Sequence, residues 1–523
     1  MGSNVSDREA VPTPEELLVD LPNPLVPGFN PDPSCVLVDG TYYMVTSSFE
    51  YLPALPVYRS TDFVAWEHIG NVAPRQEQVR LARTPSNAGV WAPTIRYHEG
   101  HFHVIVTVTA SPRGCVVFTA ADPAGQWSDG VSLDGIHGID PDLAWDEHGT
   151  AYVTFSGLHL DGVRVVSNRG ILQARVDLVT GRMLEEPREL WSGTGLVAPE
   201  APHLYHRGGQ WYLLIAEGGT GYGHSVSVAR GPGIEGPFEG APHNPVLSAS
   251  GTARPVQCTG HADLVRGPHG EDLLVLLGTR TAGRTSPLGR ETYVTTVEWA
   301  DGWPYAAPVP LAPRTEPLDE HFVFTDPAAL ADPGWLAVGR ALESVASLGR
   351  RPGHLTLSAE SGGIDAFRPD FVGRRQRHVT SVVETRIAPA DGRGGLGIRL
   401  EEESTIALVA ERAPAGNGIR ITARAALPTL VSTWSTEVAG DEVVLRIATE
   451  APEEGRAPWL PSGDTIRLGV VDAGGVETRL AECDGRFWSV ETAVPFTGRV
   501  TGMFAEHGTV HFADFSYHGE GGT

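Results

Sequence analysis

Asn30-Pro31-Asp32-Pro33-Ser34 opens the first of five segments that begin alike: a short polar lead around an acid or a histidine, an apolar strand, a turn and a second strand. The other leads are Trp91-Ala92-Pro93-Thr94, Gly138-Ile139-Asp140-Pro141-Asp142, Pro199-Glu200-Ala201-Pro202-His203 and Thr259-Gly260-His261-Ala262-Asp263. They recur roughly every 50–60 residues, the period of a propeller blade built from a four-stranded sheet. The innermost strands of a propeller converge on one axis. Residues at equivalent places in successive repeats therefore meet in space although they lie far apart in sequence. Asp32, Asp140 and Glu200 are then expected to face one another at the mouth of a central cavity.

Outward from these leads the hairpins are plain. Residues 34–38 join 41–47 through Asp39-Gly40, a dipeptide that suits tight hairpins because their turn residues need φ > 0. Equivalent hairpins fall at 95–107, 143–155, 204–216 and 264–277. Each is followed by strands carrying a large ring, Trp66, Trp127, Trp191, Phe238 or Trp303, read as plugs between blades rather than sugar platforms. One such ring buries about 150–250 Å². Helical periodicity is nearly absent, with one short turn expected at 14–20. The blade pattern stops in the proline-rich run 306–317 (AAPVPLAPRTEP). The expected organisation is all-β: an N-terminal tail at 1–20, a five-bladed β-propeller at 21–306, a linker at 307–317, and a β-sandwich (jelly-roll) at 318–523.

Composition supports two domains, since 523 residues exceed the usual single-domain size. The 62 glycines and 41 prolines suit a turn-rich β protein. With 39 basic against 64 acidic residues the formal charge is −25, a field that repels phosphate backbones and anionic lipid and leaves a neutral sugar indifferent. Nucleic acid and membrane are therefore not expected partners, and an oligosaccharide is. No run of about 18 apolar residues exists. Residues 1–18 hold several acids and no apolar core, so they do not read as a signal peptide, and a cytoplasmic location is expected. Cys35, Cys115, Cys258 and Cys483 are scattered and read as free thiols without zinc-ligand spacing.

Hydrolysis of a glycosidic bond typically needs two carboxyl groups, one protonated to assist the leaving oxygen and one ionised to activate water or attack carbon. Three acids in one pocket tune one another, because like charges raise a neighbour's pKa. The motifs 27–34 (PGFNPDPS), 46–50 (TSSFE), 90–93 (VWAP), 138–141 (GIDP), 200–205 (EAPHLY), 216–224 (AEGGTGYGH), 259–265 (TGHADLV) and 287–292 (PLGRET) resemble glycoside hydrolase family 43, in its β-xylosidase and α-L-arabinofuranosidase branch. Residues 318–523 resemble the concanavalin-A-like sandwich that follows the propeller in that branch.

The resemblance implies an inverting, exo-acting hydrolase. It makes Asp32 the general base, Glu200 the general acid and Asp140 the residue that orients the acid and raises its pKa. Arg290 would hydrogen-bond the sugar, His261 would lie on the channel axis beneath it bonding water or an ion such as Ca²⁺, and Phe49 and Trp91 would form the apolar wall. No other metal and no cofactor is implied. Asp142, directly after the GIDP motif, competes with Asp140 for its role, and Glu217 is the reserve for Glu200. The resemblance also suggests that a loop around 507–515 caps the pocket.

Other features carry less. The run 218–223 (GGTGYG) lacks the Lys-Ser/Thr and helix of a phosphate loop. His101 and His103 share a strand face and read as core or surface residues before a metal pair, and Glu401-Glu402-Glu403 reads as a solvated turn. A pentose-releasing exo-glycosidase is the leading expectation, with terminal β-D-xylose first and α-L-arabinofuranose, or both, as the alternative. A non-catalytic sugar-binding propeller is the rival from another class, and a homo-oligomer is left open.

Overall fold

Residues 34–73 fold into a four-stranded antiparallel sheet whose first strand, Ser34–Val38, pairs with Thr41–Val45 across the Asp39-Gly40 turn. The computed structural model describes residues 21–522 apart from 162–163, 361, 415–417, 454–461 and 494–495. The tail at 1–20, with the short turn expected at 14–20, lies outside the described residues. Four further antiparallel sheets, two of four strands and two of five, span 90–132, 139–191, 200–248 and 256–306, giving five blades, I to V.

Five apolar clusters sit between neighbouring blades. Val57 of blade I packs near Trp127 of blade II, Trp191 and Phe238 pack against the cluster between blades III and IV, and Trp303 lies between IV and V. Trp66 packs where blade I meets blade V, so the ring plugs stand where the spacing placed them. The circle is closed from the N-terminal side. Asn23 exchanges side-chain bonds with the backbone of Val294 (2.8 and 2.9 Å), and Val26 bridges Thr292.

The inner strands carry one shared irregularity. Asp32, Ala92, Asp140, Ala201 and His261, one per lead, all have positive φ (56°, 40°, 54°, 51° and 52°). Pairing registers shift at this point in blades II to V. A non-glycine residue in this region is uncommon and costs energy. Such bulges re-aim a side chain out of the ladder, and with the positive φ of Asp32 in blade I they mark the same point of all five inner strands.

After blade V ends at Ala306 the next strand begins at Leu318. The C-terminal region forms two antiparallel layers that share the long strand Val500–Phe512. Its first half pairs with Asp370–Arg375 and Arg393–Arg399 in one layer, and its second half with Leu355–Ala359 in the other. Gly508 (φ +63°) stands at the crossing. Residues 507–515 therefore do not form a capping loop: Val510, Phe512 and Phe515 are buried in the sandwich core.

The two domains meet face to face. Phe29, Phe49 and Tyr51 of the propeller share one apolar cluster with Leu336, Ile364, Phe371, Val409 and Phe504 of the sandwich. Tyr51–Leu52 also pairs as a short strand with Ala337–Val338. Of the run Glu401–Glu403 only Glu403 is exposed; the other two belong to this interface: Ser86 donates its backbone N–H to Glu402 at 3.3 Å, and Asn87 reaches Glu401 at 3.5 Å.

Candidate active site

Asp32 is buried at the start of blade I. Its Oδ2 accepts a 2.5 Å hydrogen bond from Ser47, whose oxygen also receives the Ala92 N–H at 2.7 Å, so base strand and pocket wall are tied together. Its Oδ1 lies 3.3 Å from Arg290 Nη1 and 3.5 Å from His261 Nδ1. Burial alone would raise this carboxyl, but Arg290, His261, the Ser47 hydroxyl and His224 together hold it below its ordinary value.

Asp140 has the opposite balance. Burial, then the nearby charges of Glu200 and Asp32, push it well above the ordinary carboxyl range, against one backbone bond from Ala201 (3.1 Å). Glu200 is raised to about 7, by burial first and then by Asp32. Its side chain is 17% exposed against 6% for Asp32, which puts it on the solvent side of the cluster. His224 Nε2 stands 3.7 Å from Glu200, and burial lowers its pKa to about 4, so the ring is neutral beside the acid. His261, lowered to about 3 by burial, is neutral too.

Asp32, Asp140, Glu200, Phe49, Trp91, His261 and Arg290 all line one pocket, with Ala92, Ile139, Thr220 and Phe496. Thr220 and Phe496 were not read as site residues from the sequence. Thr220, inside the glycine-rich run, accepts from Arg290 Nη1 at 3.0 Å. Phe496 comes from the sandwich. Its ring stacks on Phe49 (centroids 6.0 Å) and meets Trp91 edge-on (5.3 Å), while its carbonyl accepts from Arg290 Nε and Nη2 at 3.3 and 3.1 Å. No motif marks it, because its place depends on how the second domain docks. Two glycines allow that docking: a Cβ on Gly289 would come within 2.7 Å of Gly498, and one on Gly498 within 2.2 Å of the Leu288 carbonyl. Asn87 holds both walls, accepting from Trp91 Nε1 at 2.9 Å and from the Phe496 N–H at 2.7 Å.

The reserves fall elsewhere. Glu217 is buried and accepts from Thr194 (2.6 Å) and Ser227 (2.5 Å), fastening a blade IV loop outside the pocket. Asp142 lies one layer deeper on the axis, 2.8 Å from Arg96 and accepting the Leu204 N–H at 2.9 Å. His101 is exposed, and His103 packs edge-on to Trp145. Cys35, Cys115, Cys258 and Cys483 are free thiols.

The residues around His261 do not fit a calcium ion, which takes six to eight oxygen ligands. The carboxylates below it on the axis, Asp142 and Asp263, are already paired with the Arg96 guanidinium at 2.8 and 3.0 Å. Among the described residues no group of three or more His, Cys, Asp or Glu is placed to hold a metal.

Residues 21–304 match the family model for glycosyl hydrolases family 43, and 324–518 match the β-xylosidase C-terminal concanavalin A-like domain. The chain belongs to glycosyl hydrolases family 43. It is 35% identical to a xylosidase/arabinosidase of Butyrivibrio fibrisolvens over 68% of this chain and 72% of that one. It is 33% identical to a non-reducing end α-L-arabinofuranosidase of Bacteroides ovatus over 92% and 90% of the two chains. The solved xylan β-1,4-xylosidase of Bacillus halodurans superposes with a TM-score of 0.83 at 26% identity, covering 95% of this chain and 99% of that one. The protein is thus a glycoside hydrolase acting on oligosaccharides, and the non-catalytic reading falls away.

Proposed function

We propose that the pocket releases a terminal pentose, β-D-xylose, from the non-reducing end of xylo-oligosaccharides or arabinoxylan fragments with inversion at the anomeric carbon. The observation that carries this reading is the convergence of three carboxyls from three blades on one pocket, with Arg290 against Asp32 and Glu200 on the more exposed side. Asp32, held ionised, is the general base that takes a proton from the attacking water. Glu200, at about 7, is the general acid that protonates the leaving oxygen from the more exposed side. Asp140 lines the same pocket, is fixed by the Ala201 N–H, and serves to orient the acid. The single displacement balances: the glycosidic oxygen leaves with the Glu200 proton as the water oxygen bonds to carbon and the water's proton passes to Asp32.

Arg290 and His261 offer polar contacts to the sugar hydroxyls, while Phe49, Trp91 and Phe496 cover its C–H faces. The sandwich ring of Phe496 narrows the pocket, which supports action at chain ends. The reaction uses no cofactor. A cytoplasmic enzyme acting on imported short oligosaccharides fits this reading.

The test pairs substrates with variants. Nitrophenyl β-D-xyloside should turn over faster than nitrophenyl α-L-arabinofuranoside, and the reverse ranking moves the assignment to arabinofuranosidase. Proton NMR of the first product formed should show the α anomer of xylose; the β anomer would sink the inverting mechanism. Glu200→Ala should lose about 10²-fold or more on xylobiose and much less on a dinitrophenyl xyloside, whose leaving group needs no proton. Equal losses on both would remove Glu200 from the acid role.

A further inference from the structure

A second cavity, of about 600 Å³, lies where the lead of blade I backs onto the sandwich, and it shares no lining residue with the catalytic pocket. Its walls are unusual for so acidic a molecule. The chain has no lysine, so all 39 cationic side chains are arginines, and five of them, Arg280, Arg314, Arg374, Arg375 and Arg377, line this one cleft.

Most of that charge is answered. Arg280 pairs with Glu291 at 3.0 Å, Arg374 with Asp332 at 2.6 Å, and Arg374 and Arg377 share Glu320. Arg314 donates to the carbonyls of Leu25 (3.1 Å) and Val64 (2.7 Å).

Arg375 is different. It is 7% exposed and makes no ion pair among the described residues. Its Nε donates to the Phe29 carbonyl at 2.9 Å and its face lies 4.5 Å over the Phe29 ring, but its Nη2 is buried with no partner. A second orphan stands in the same cleft: His68 Nε2 is buried and unpartnered, with its ring packed 5.0 Å from that of Tyr58. A buried guanidinium without a counter-charge is costly, and an oxyanion meets its donors well.

We propose that this cleft is a binding site for a small oxyanion of the phosphate type, held by Arg375 Nη2 and His68 Nε2 with Arg314 in the same wall, while Arg374 and Arg377 stay paired with Glu320 and Asp332. The cavity has room for inorganic phosphate or for the phosphate of a sugar monoester, which share the recognised group. The site adjoins the catalytic base strand: Arg375 fixes Phe29, and Asn30, which lines the cleft, accepts from Tyr58 at 2.7 Å. Occupancy therefore stiffens the segment that leads into Asp32.

Thermal unfolding of the full chain at constant ionic strength tests this. Inorganic phosphate and glucose 1-phosphate should each raise the melting temperature saturably, while sodium chloride does not, because a ligand that binds only the folded state stabilises by mass action. Whichever saturates at lower concentration names the preferred source. Arg375→Lys keeps the charge but loses the fork, and should weaken binding about tenfold or more. His68→Gln should weaken it severalfold; should the Arg375 variant not fold, this variant and a tungstate-soaked crystal, with its anomalous peak beside Arg375, decide the matter. No saturable rise, a rise unchanged in both variants, or a tungstate peak elsewhere overturns the site.

Discussion

Two layers of the same five inner strands, two residues apart, hold buried acids and have opposite characters. The mouth layer presents Asp32, Asp140 and Glu200 with one guanidinium, Arg290, and two neutral histidines. The deeper layer presents Asp142 and Asp263 with one guanidinium, Arg96, and a full set of donors. Asp263 alone accepts from Ser34 (2.6 Å), the Cys35 N–H (3.0 Å) and the Tyr205 hydroxyl. The deeper layer sets one guanidinium against two acids and surrounds Asp263 with donors, and Asp263 drops to about 2. At the mouth three carboxyls share one cation, so they cannot all ionise, and one proton is kept for chemistry. What separates a plug from an active site here is compensation, not the presence of acids.

The largest effect that would break this contrast is at the mouth. Asp32→Asn should lower kcat/KM by about 10²–10⁴-fold on nitrophenyl xyloside with an unchanged circular dichroism spectrum. Retained turnover would mean the ionised carboxyl is not the base. One layer down, Arg96→Met should instead act on stability. It leaves two buried carboxylates without their cation, at a cost of about 3–5 kcal/mol in urea unfolding. A small cost there would show that the deep acids are not held by compensation.

The pH dependence should also divide by layer. At the mouth, kcat/KM needs Asp32 ionised and Glu200 protonated, so activity should fall as pH rises through about 7. Glu200 sits above its ordinary 4.5, so its contribution to folding is fully present below pH 4.5 and is lost as pH rises through about 7. Asp263 sits below its ordinary 3.8, so its contribution is present in full above that pH and is lost as pH falls toward about 2. That loss amounts to about 2 kcal/mol. Asp140→Asn should therefore raise the melting temperature at pH 7 while lowering kcat, because it removes a carboxyl that burial and its neighbours oppose. A lower melting temperature would place Asp140 with the compensated layer.

Much of this was legible in the chain, and the reasons are physical. The repeat forces equivalent positions onto one axis, so Asp32, Asp140, Glu200 and His261 could be gathered from motifs spread over more than two hundred residues. Asp140 and Asp142 could not be told apart so surely, since adjacent layers of one strand carry the same residue type. Only the partner distinguishes them, and Arg96 lies in another blade. Glu217 stood as the reserve acid because Thr194 and Ser227 are ordinary residues until the fold brings them to it. Glu401 and Glu402 read as solvated like Glu403 because nothing local reveals a docked domain.

Phe496 is the clearest case of what sequence withheld, and it yields the smallest and most diagnostic prediction. Its backbone carbonyl steadies Arg290, and its ring closes the wall with Phe49 and Trp91. Phe496→Ala keeps the carbonyl and removes the ring. The arginine, and with it the charge balance of the mouth layer, should stay in place, while the sugar loses one apolar face. KM should then rise by about 10-fold, the equivalent of about 1.4 kcal/mol of contact, with kcat nearly unchanged. A fall in kcat with little change in KM would show that the ring, and not the carbonyl alone, sets the position of Arg290 against Asp32, and would extend the catalytic layer into the second domain.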